Sequence, residues 1–285
     1  MSFLTTMDAN EIYYSDVGRG DPVVLIHGWP LNADMWEYQS LALLEQGFRV
    51  ITYDRRGFGR SSKPSAGYNY DIFAADLNQL LERLDLQRVA LVGFSMGGGE
   101  IARYLAQYDS SRVSRVMLIS SVVPYLFQTH DNPDGVSAEV FDDMIVGLRE
   151  DRPAFLANFA RLFFGMGLLS SPVSEETLAW TSSLALQASL KATVDCVRAF
   201  SQTDFRSDLR AIQVPTMIVH GTSDKVIPIS ATSEVISRFV PHATLKRYDG
   251  APHGLFITNK DDLNRDLLAF LGREAAWKAR ESKSA

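Results

Sequence analysis

The sequence predicts an α/β fold: a mainly parallel central sheet with helices on both faces, broken by an all-helical insertion. Three observations carry this expectation. Apolar runs such as 23–26 and 88–92 read as strands covered on both faces. Up to residue 120, strand patterns alternate with segments whose apolar residues recur at helical spacing, and such alternation builds a parallel sheet. From 124 to 207 the alternation stops and only helical patterns continue, before strand and helix resume at 214–219.

In chain order, 11–16 alternates apolar and polar residues and Gly18-Arg19-Gly20-Asp21-Pro22 turns the chain into 23–26, so an antiparallel hairpin at a sheet edge is expected. Asn32 or Asp34 can cap a helix reaching about Glu45, which Gly47 ends. A strand at 48–53 follows, then a helix over 71–84 with Phe73, Leu77, Leu80, Leu81 and Leu84 on one side. After the strand at 88–92, a helix runs from Met96 to Tyr108 with Ile101, Ala102, Leu105 and Ala106 on one face, and a strand at 113–120 closes this half. Helical patterns in the insertion cover 140–150, 153–163 and 175–199 and are dense in aromatics. Beyond 214–219 come a helix from about Ser230, a strand at 243–248, a helix from about Lys260 and a polar tail at 275–285 expected to fray. The expected organisation is a core of 1–121 and 208–285 with a helical cap of 122–207. That cap should cover the carboxyl ends of the strands, where open α/β sheets place their ligands.

Composition narrows the function. With 285 residues, 46% hydrophobic and 22% charged, the chain reads as globular rather than disordered. A net charge of -6 and the lack of any Lys/Arg stripe argue against a nucleic-acid partner. The single cysteine, Cys196, has no intramolecular partner, and no Cys/His spacing suggests a metal, so no cofactor and no metal are expected. The N-terminal stretch lacks a basic segment followed by an apolar one, and no apolar run approaches the roughly 20 residues of a membrane span. A cytoplasmic enzyme without a membrane partner is the expectation.

Gly93-Phe94-Ser95-Met96-Gly97 carries the chemistry, because it joins a buried strand to a helix and so presents a serine on a sharp corner. Glycines are needed at 93 and 97, where any Cβ would strike the tight turn or its neighbours. A serine hydroxyl needs a base within reach, itself oriented by a third group. Of the five histidines, His253 in Gly250-Ala251-Pro252-His253-Gly254 falls in a loop after a strand, on the same sheet edge as Ser95. His27 suits an organising hydrogen bond in its loop, and His220 ends a strand beside Gly221. Asp224, in His220-Gly221-Thr222-Ser223-Asp224, has the placement of the orienting carboxylate. Two backbone donors should face the oxyanion: the Met96 N–H at the helix start, and the Trp29 N–H in the loop that Gly28 lets pass close to the corner. Pro30 restrains the backbone of Trp29.

These residues resemble the α/β-hydrolase superfamily over essentially the whole chain, with the triad order Ser95, Asp224, His253. Within it the chain resembles the bacterial aryl esterases and cofactor-free haloperoxidases, or perhydrolases. The resemblance rests on His27-Gly28-Trp29-Pro30, Asp34-Met35-Trp36-Glu37-Tyr38-Gln39, the stretch from Tyr53 through Arg55-Arg56 to Ser61, Gly93 to Gly99, Ser189 to Cys196, and Ala251-Pro252-His253-Gly254. It implies an α/β-hydrolase fold, the triad Ser95, Asp224 and His253, and oxyanion donors Trp29 and Met96. A substrate pocket at Pro30, Val122, Phe159, Phe163, Phe200 and Val226 is implied as well. Two further pocket aromatics of the family fall on Leu126 and Met144, so a different acyl pocket is expected. The implied reaction is ester cleavage through an acyl-enzyme resolved by water, or by hydrogen peroxide to a peracid that oxidises halide. Homo-oligomers occur in this branch. Opening of γ-lactams or amides by the same triad, and a ligand-binding protein that keeps the triad without catalysis, stay open as alternatives. Lys191 could be the auxiliary cation of a hydroxynitrile lyase, but a solvated or paired lysine is the plainer expectation.

Overall fold

The computed structural model describes residues 2–108, 110–168 and 170–272; the polar tail expected at 275–285 lies outside the described residues. Strands β1 (Ser2–Thr5), β2 (Glu11–Val17) and β3 (Pro22–Ile26) come first. A 3-10 turn at Ala33–Trp36 leads into α1 (Glu37–Glu45), and Asn32 is the cap, its side chain accepting from the Asp34 N–H at 3.0 Å. Then follow β4 (Arg49–Tyr53), α2 (Tyr70–Arg83), β5 (Val89–Phe94), α3 (Met96–Gln107) and β6 (Val113–Ile119). Three helices come next, α4 (Ala138–Phe163), α5 (Glu175–Leu186) and α6 (Leu190–Gln202). The chain then returns to β7 (Thr216–Gly221), β8 (Thr244–Tyr248), α7 (Leu255–Thr258) and α8 (Lys260–Phe270). The sheet order is β1-β2-β4-β3-β5-β6-β7-β8, parallel throughout except where β2 pairs antiparallel with β1 and β4.

Burial follows the sequence pattern. All six residues of β5 are buried, as expected of a central parallel strand. Helix α2, which packs against α3, buries Phe73, Leu77, Leu80 and Leu81, each worth about 1.5–3 kcal/mol of transfer free energy. On α3 the inner face is Ile101, Ala102, Tyr104 and Leu105, while Ala106 is exposed rather than buried. No helix among the described residues is long and apolar enough to cross a membrane.

Three expectations are corrected. The runs 11–16 and 23–26 do not form a hairpin. Gly18 and Gly20, with φ of +88° and +110°, press the turn onto the carbonyls of Phe48 and Gly47, where a Cβ would sit 2.5 and 2.2 Å away; that route carries the chain past β4, and β2 pairs with β1 and β4. The helix expected from Ser230 is a series of turns ending in a 3-10 segment at Ile236–Arg238, with i−3 bonds such as Ala231 N to Pro228 O and Thr232 N to Ile229 O. The Thr232 hydroxyl is committed to Pro228 O and that of Ser233 to His220. Finally, 175–199 is two helices, because Ser189 caps α6 by accepting from the Ala192 N–H. By contrast, 140–150 and 153–163 join end to end in α4 across a kink at Asp151, two residues before Pro153.

Candidate active site

Between β5 and α3 the backbone turns at Ser95, whose φ of +53° and ψ of −115° cost a non-glycine residue on the order of 1–3 kcal/mol. Three backbone bonds hold it there: Ser95 N donates to Ile119 O of β6 at 2.8 Å, and its carbonyl accepts from Gly98 N of α3 at 3.1 Å and Val122 N at 3.3 Å. The two glycines are required by close approach. A Cβ at Gly93 would meet the Gly97 carbonyl at 2.7 Å, and one at Gly97 would meet Ile26 O at 2.5 Å.

The structure brings Ser95, His253 and Asp224 together from three separate connections. His253 Nε2 is 3.1 Å from Ser95 Oγ, and His253 Nδ1 donates to Asp224 Oδ2 at 2.6 Å. The imidazole packs between Phe94 and Phe163, with ring centroids 4.8 and 4.9 Å away, so its plane is fixed. Glycine again permits the approach, since a Cβ at Gly221 would lie 2.2 Å from Ala251 O in the loop that carries His253. Asp224 Oδ1 accepts the N–H groups of Val226 and Ile227 at 2.9 and 2.8 Å. Burial acts to raise the Asp224 carboxyl, but the facing charge of His253 and hydrogen bonds from His220 and His253 override it and hold the group well below the ordinary carboxylate range. The carboxylate therefore stays ionised at neutral pH. Sequence reasoning passed over His220, whose Nε2 lies 3.2 Å from Asp224 Oδ2.

The loop after β3 meets this corner through Gly28. His27 organises it as expected, with Nδ1 donating to Gly28 O at 3.0 Å and Nε2 accepting from Arg55 N at 2.9 Å. Full burial pushes the His27 imidazole well below its usual pKa, and the Arg55 charge adds to the effect. Arg55 also donates to His27 O at 2.9 Å and to Glu100 Oε2 at 2.6 Å, while the Tyr53 hydroxyl bonds the other Glu100 oxygen. Glu100 belongs to α3, so a buried ion pair ties the Trp29 loop to the helix that starts at Met96. The Met96 N–H, in the first turn of α3, is among those without an intrahelical acceptor.

An apolar cleft of about 40 Å³ opens at Ser95 and His253. Of the pocket residues expected from the sequence, Val122, Phe159, Phe200 and Val226 line it, with Trp29, Leu126 and Met144. Pro30 and Phe163 instead line a small neighbouring cavity of about 10 Å³, and Phe159 borders both. Phe141, Val136, Val140 and Ile227 also line the cleft and were not singled out; Phe141 was visible only as one of many aromatics in the insertion. A larger void of about 310 Å³ lies at the amino ends of the strands, beside Pro22, Ala90 and Arg115, far from the triad and without its chemistry. Lys191 is paired with Asp195 at 2.5 Å on the surface of α6 and does not line the cleft.

The helices between β6 and β7 are tied to these loops. Trp29 Nε1 donates to Thr193 O at 3.1 Å, Gly254 N to Phe163 O at 2.8 Å, and Ser189 N to Gly57 O at 2.8 Å.

Fold and site define the class: the chain belongs to the α/β-hydrolase fold family, whose profile matches residues 21–260. It is 42% identical over 275 residues to a non-heme chloroperoxidase from Kitasatospora aureofaciens, covering 96% of this chain and 100% of that protein. It is 40% identical over 274 residues to a bifunctional esterase/perhydrolase from Acinetobacter calcoaceticus, covering 95% and 99%. The crystal structure of a bromoperoxidase from Bacillus anthracis matches with a TM-score of 0.91 at 46% identity, covering 95% of this chain and 99% of that one.

Proposed function

We propose that this protein is a serine esterase that cleaves small carboxylic (aryl) esters through an acyl-enzyme on Ser95, with perhydrolase and cofactor-free haloperoxidase activity beside it. The observation that carries the proposal is the continuous hydrogen-bond chain from Ser95 Oγ through His253 to an ionised Asp224 at the floor of an apolar cleft. His253 Nε2 takes the Ser95 proton as Oγ attacks the ester carbonyl, and the oxyanion is met by the N–H groups of Trp29 and Met96, each worth on the order of 3 kcal/mol. The alcohol leaves with the proton from His253. Water then attacks the acyl group, giving up its proton to His253, and Ser95 is released. Hydrogen peroxide in the place of water releases a peracid, which transfers an oxygen atom to halide and leaves the carboxylic acid and hypohalite. The oxidising equivalent comes from peroxide, so the chain's own residues supply only acyl transfer. The lining of the cleft, mostly aliphatic and aromatic, suits a small aryl ester.

On this reading 122–207 is a cap on a core of 1–121 and 208–285, and the enzyme works on small molecules in the cytoplasm. Ser95→Ala tests the assignment. With p-nitrophenyl acetate we expect wild-type enzyme to give a burst of p-nitrophenol and the variant to lose all but a few per cent of turnover while keeping its Tm. Wild-type turnover from Ser95→Ala would overturn it, and a bicyclic γ-lactam in parallel would reveal amide hydrolysis by the same triad.

A further inference from the structure

We propose that His220, which the acyl-transfer reading leaves without a task, is a positioning residue that holds the Asp224 carboxylate in the orientation presenting Oδ2 to His253. His220 lies in β7, its side chain fully buried, and Asp224 follows four residues later in the loop that leaves that strand. The carboxylate is gripped from two sides. The N–H groups of Val226 and Ile227 hold Oδ1 from within the loop itself; His220 Nε2, 3.2 Å from Oδ2, reaches it from the sheet. Among the described residues, only His220 links the carboxylate to a strand.

Its ring can do this because its surroundings fix where the proton sits. Nε2 faces two acceptors, Ile227 O at 2.9 Å and Asp224 Oδ2 at 3.2 Å, so a lone pair there would oppose both in a buried site. Nδ1 lies 2.6 Å from the Ser233 hydroxyl, which can donate to it and so leave the proton on Nε2. Ser233 is itself buried and sits in the stretch of turns that replaces a regular helix after β7. The same Nε2–H also pins the backbone of Ile227, which lines the cleft. A bulky side chain filling the core would need none of this polar complementarity.

The inference rests on the triad reading, and the experiment separates the two. Asparagine at 220 can reach only the Ser233 side of the ring's position, whereas glutamine extends an N–H to the place of Nε2. We expect His220→Asn to lower kcat for p-nitrophenyl acetate about tenfold, the worth of one shared hydrogen bond to a charged acceptor, with KM within about twofold. His220→Gln should return to within about threefold of wild type at a similar Tm. The downfield proton resonance of the His253–Asp224 hydrogen bond should shift in the Asn variant and stay in place in the Gln variant. Equal losses in the two variants, or wild-type kcat in His220→Asn, would show that His220 only fills space. If neither variant folds, Ser233→Ala carries the test: a several-fold drop in kcat supports the proposal and an unchanged kcat overturns it. Activity surviving Ser95→Ala would sink the triad reading, whereas a dead Ser95→Ala beside a fully active His220→Asn sinks this inference alone.

Discussion

Gly28→Ala probes the oxyanion arrangement with one methyl group. The added Cβ would lie 2.6 Å from Phe94 Cδ1 and 3.0 Å from Ser95 Cβ, short of ordinary 3.4 Å contact by about 0.8 and 0.4 Å. Phe94 is fully buried against Trp36, Phe163, Phe256 and His253, so its ring has little room to yield. Relief must come mainly from the loop, carrying the Trp29 N–H away from Ser95 by some tenths of an ångström. Oxyanion donors work at about 2.7–3.1 Å, and complete loss of one costs roughly 10²–10³ in kcat, so a displaced donor should cost on the order of a hundredfold. Because the interaction belongs to the transition state, KM should barely move. Overpacking should also destabilise the protein by about 1–3 kcal/mol. Steady-state kinetics with p-nitrophenyl acetate and a thermal melt read both effects. A lowered Tm with kcat within threefold of wild type would show that the core absorbs the methyl group and that this loop carries no critical donor.

Two further outcomes follow from the same geometry. Ser95 and His253 act as one unit in the proposed mechanism, so the kcat of His253→Ala should lie within about threefold of that of the Ser95→Ala/His253→Ala double variant; a double variant far worse than this single would mean that another group supplies the base. His27 concerns stability. Its folded pKa is depressed by burial, so below about 6.5 the unfolded state binds a proton that the folded state refuses, and stability falls with pH by up to about 1.4 kcal/mol per unit until the folded pKa is reached. Urea unfolding at pH 7.5 and 5.5 should therefore show wild type losing about 1.4 kcal/mol more than His27→Gln across that interval, and equal losses would contradict the assignment.

Much of this was legible in the sequence because local patterns and tertiary structure agree. The apolar run of β5, the amphipathic spacing of α2 and the glycines around Ser95 each have one compact solution, and the structure adopts it. Residues 11–16 mispaired on paper because alternation reports that a strand has two unlike faces, not which strand lies beside it; two positive-φ glycines settled that through contact with residues far along the chain. The turns after Pro228 were hidden for a similar reason, since it is a distant histidine that engages the Ser233 hydroxyl. At the site, Ser95, Asp224 and His253 stood out through their loops, whereas His220 read as the end of a strand. Nothing local distinguishes an imidazole that packs from one that touches a carboxylate. Pro30 and Phe163 fell in the adjoining cavity because neighbouring sequence locates a side chain's region but not which side of Phe159 it faces.

The ties from Trp29 to Thr193, from Gly254 to Phe163 and from Ser189 to Gly57 bear on how substrate range can change. Swinging α4 and α6 away as a hinged door would pull on the loop of Trp29, the proposed oxyanion donor, and on the loop of His253, the proposed base, so opening and readiness for chemistry would compete. A porch of side chains offers another route, where Val140, 47% exposed, and Met144 border the cleft. Altering a few porch residues would retune which acyl groups enter and leave the acyl-transfer apparatus undisturbed. Exchanging whole helices between relatives would unpick it.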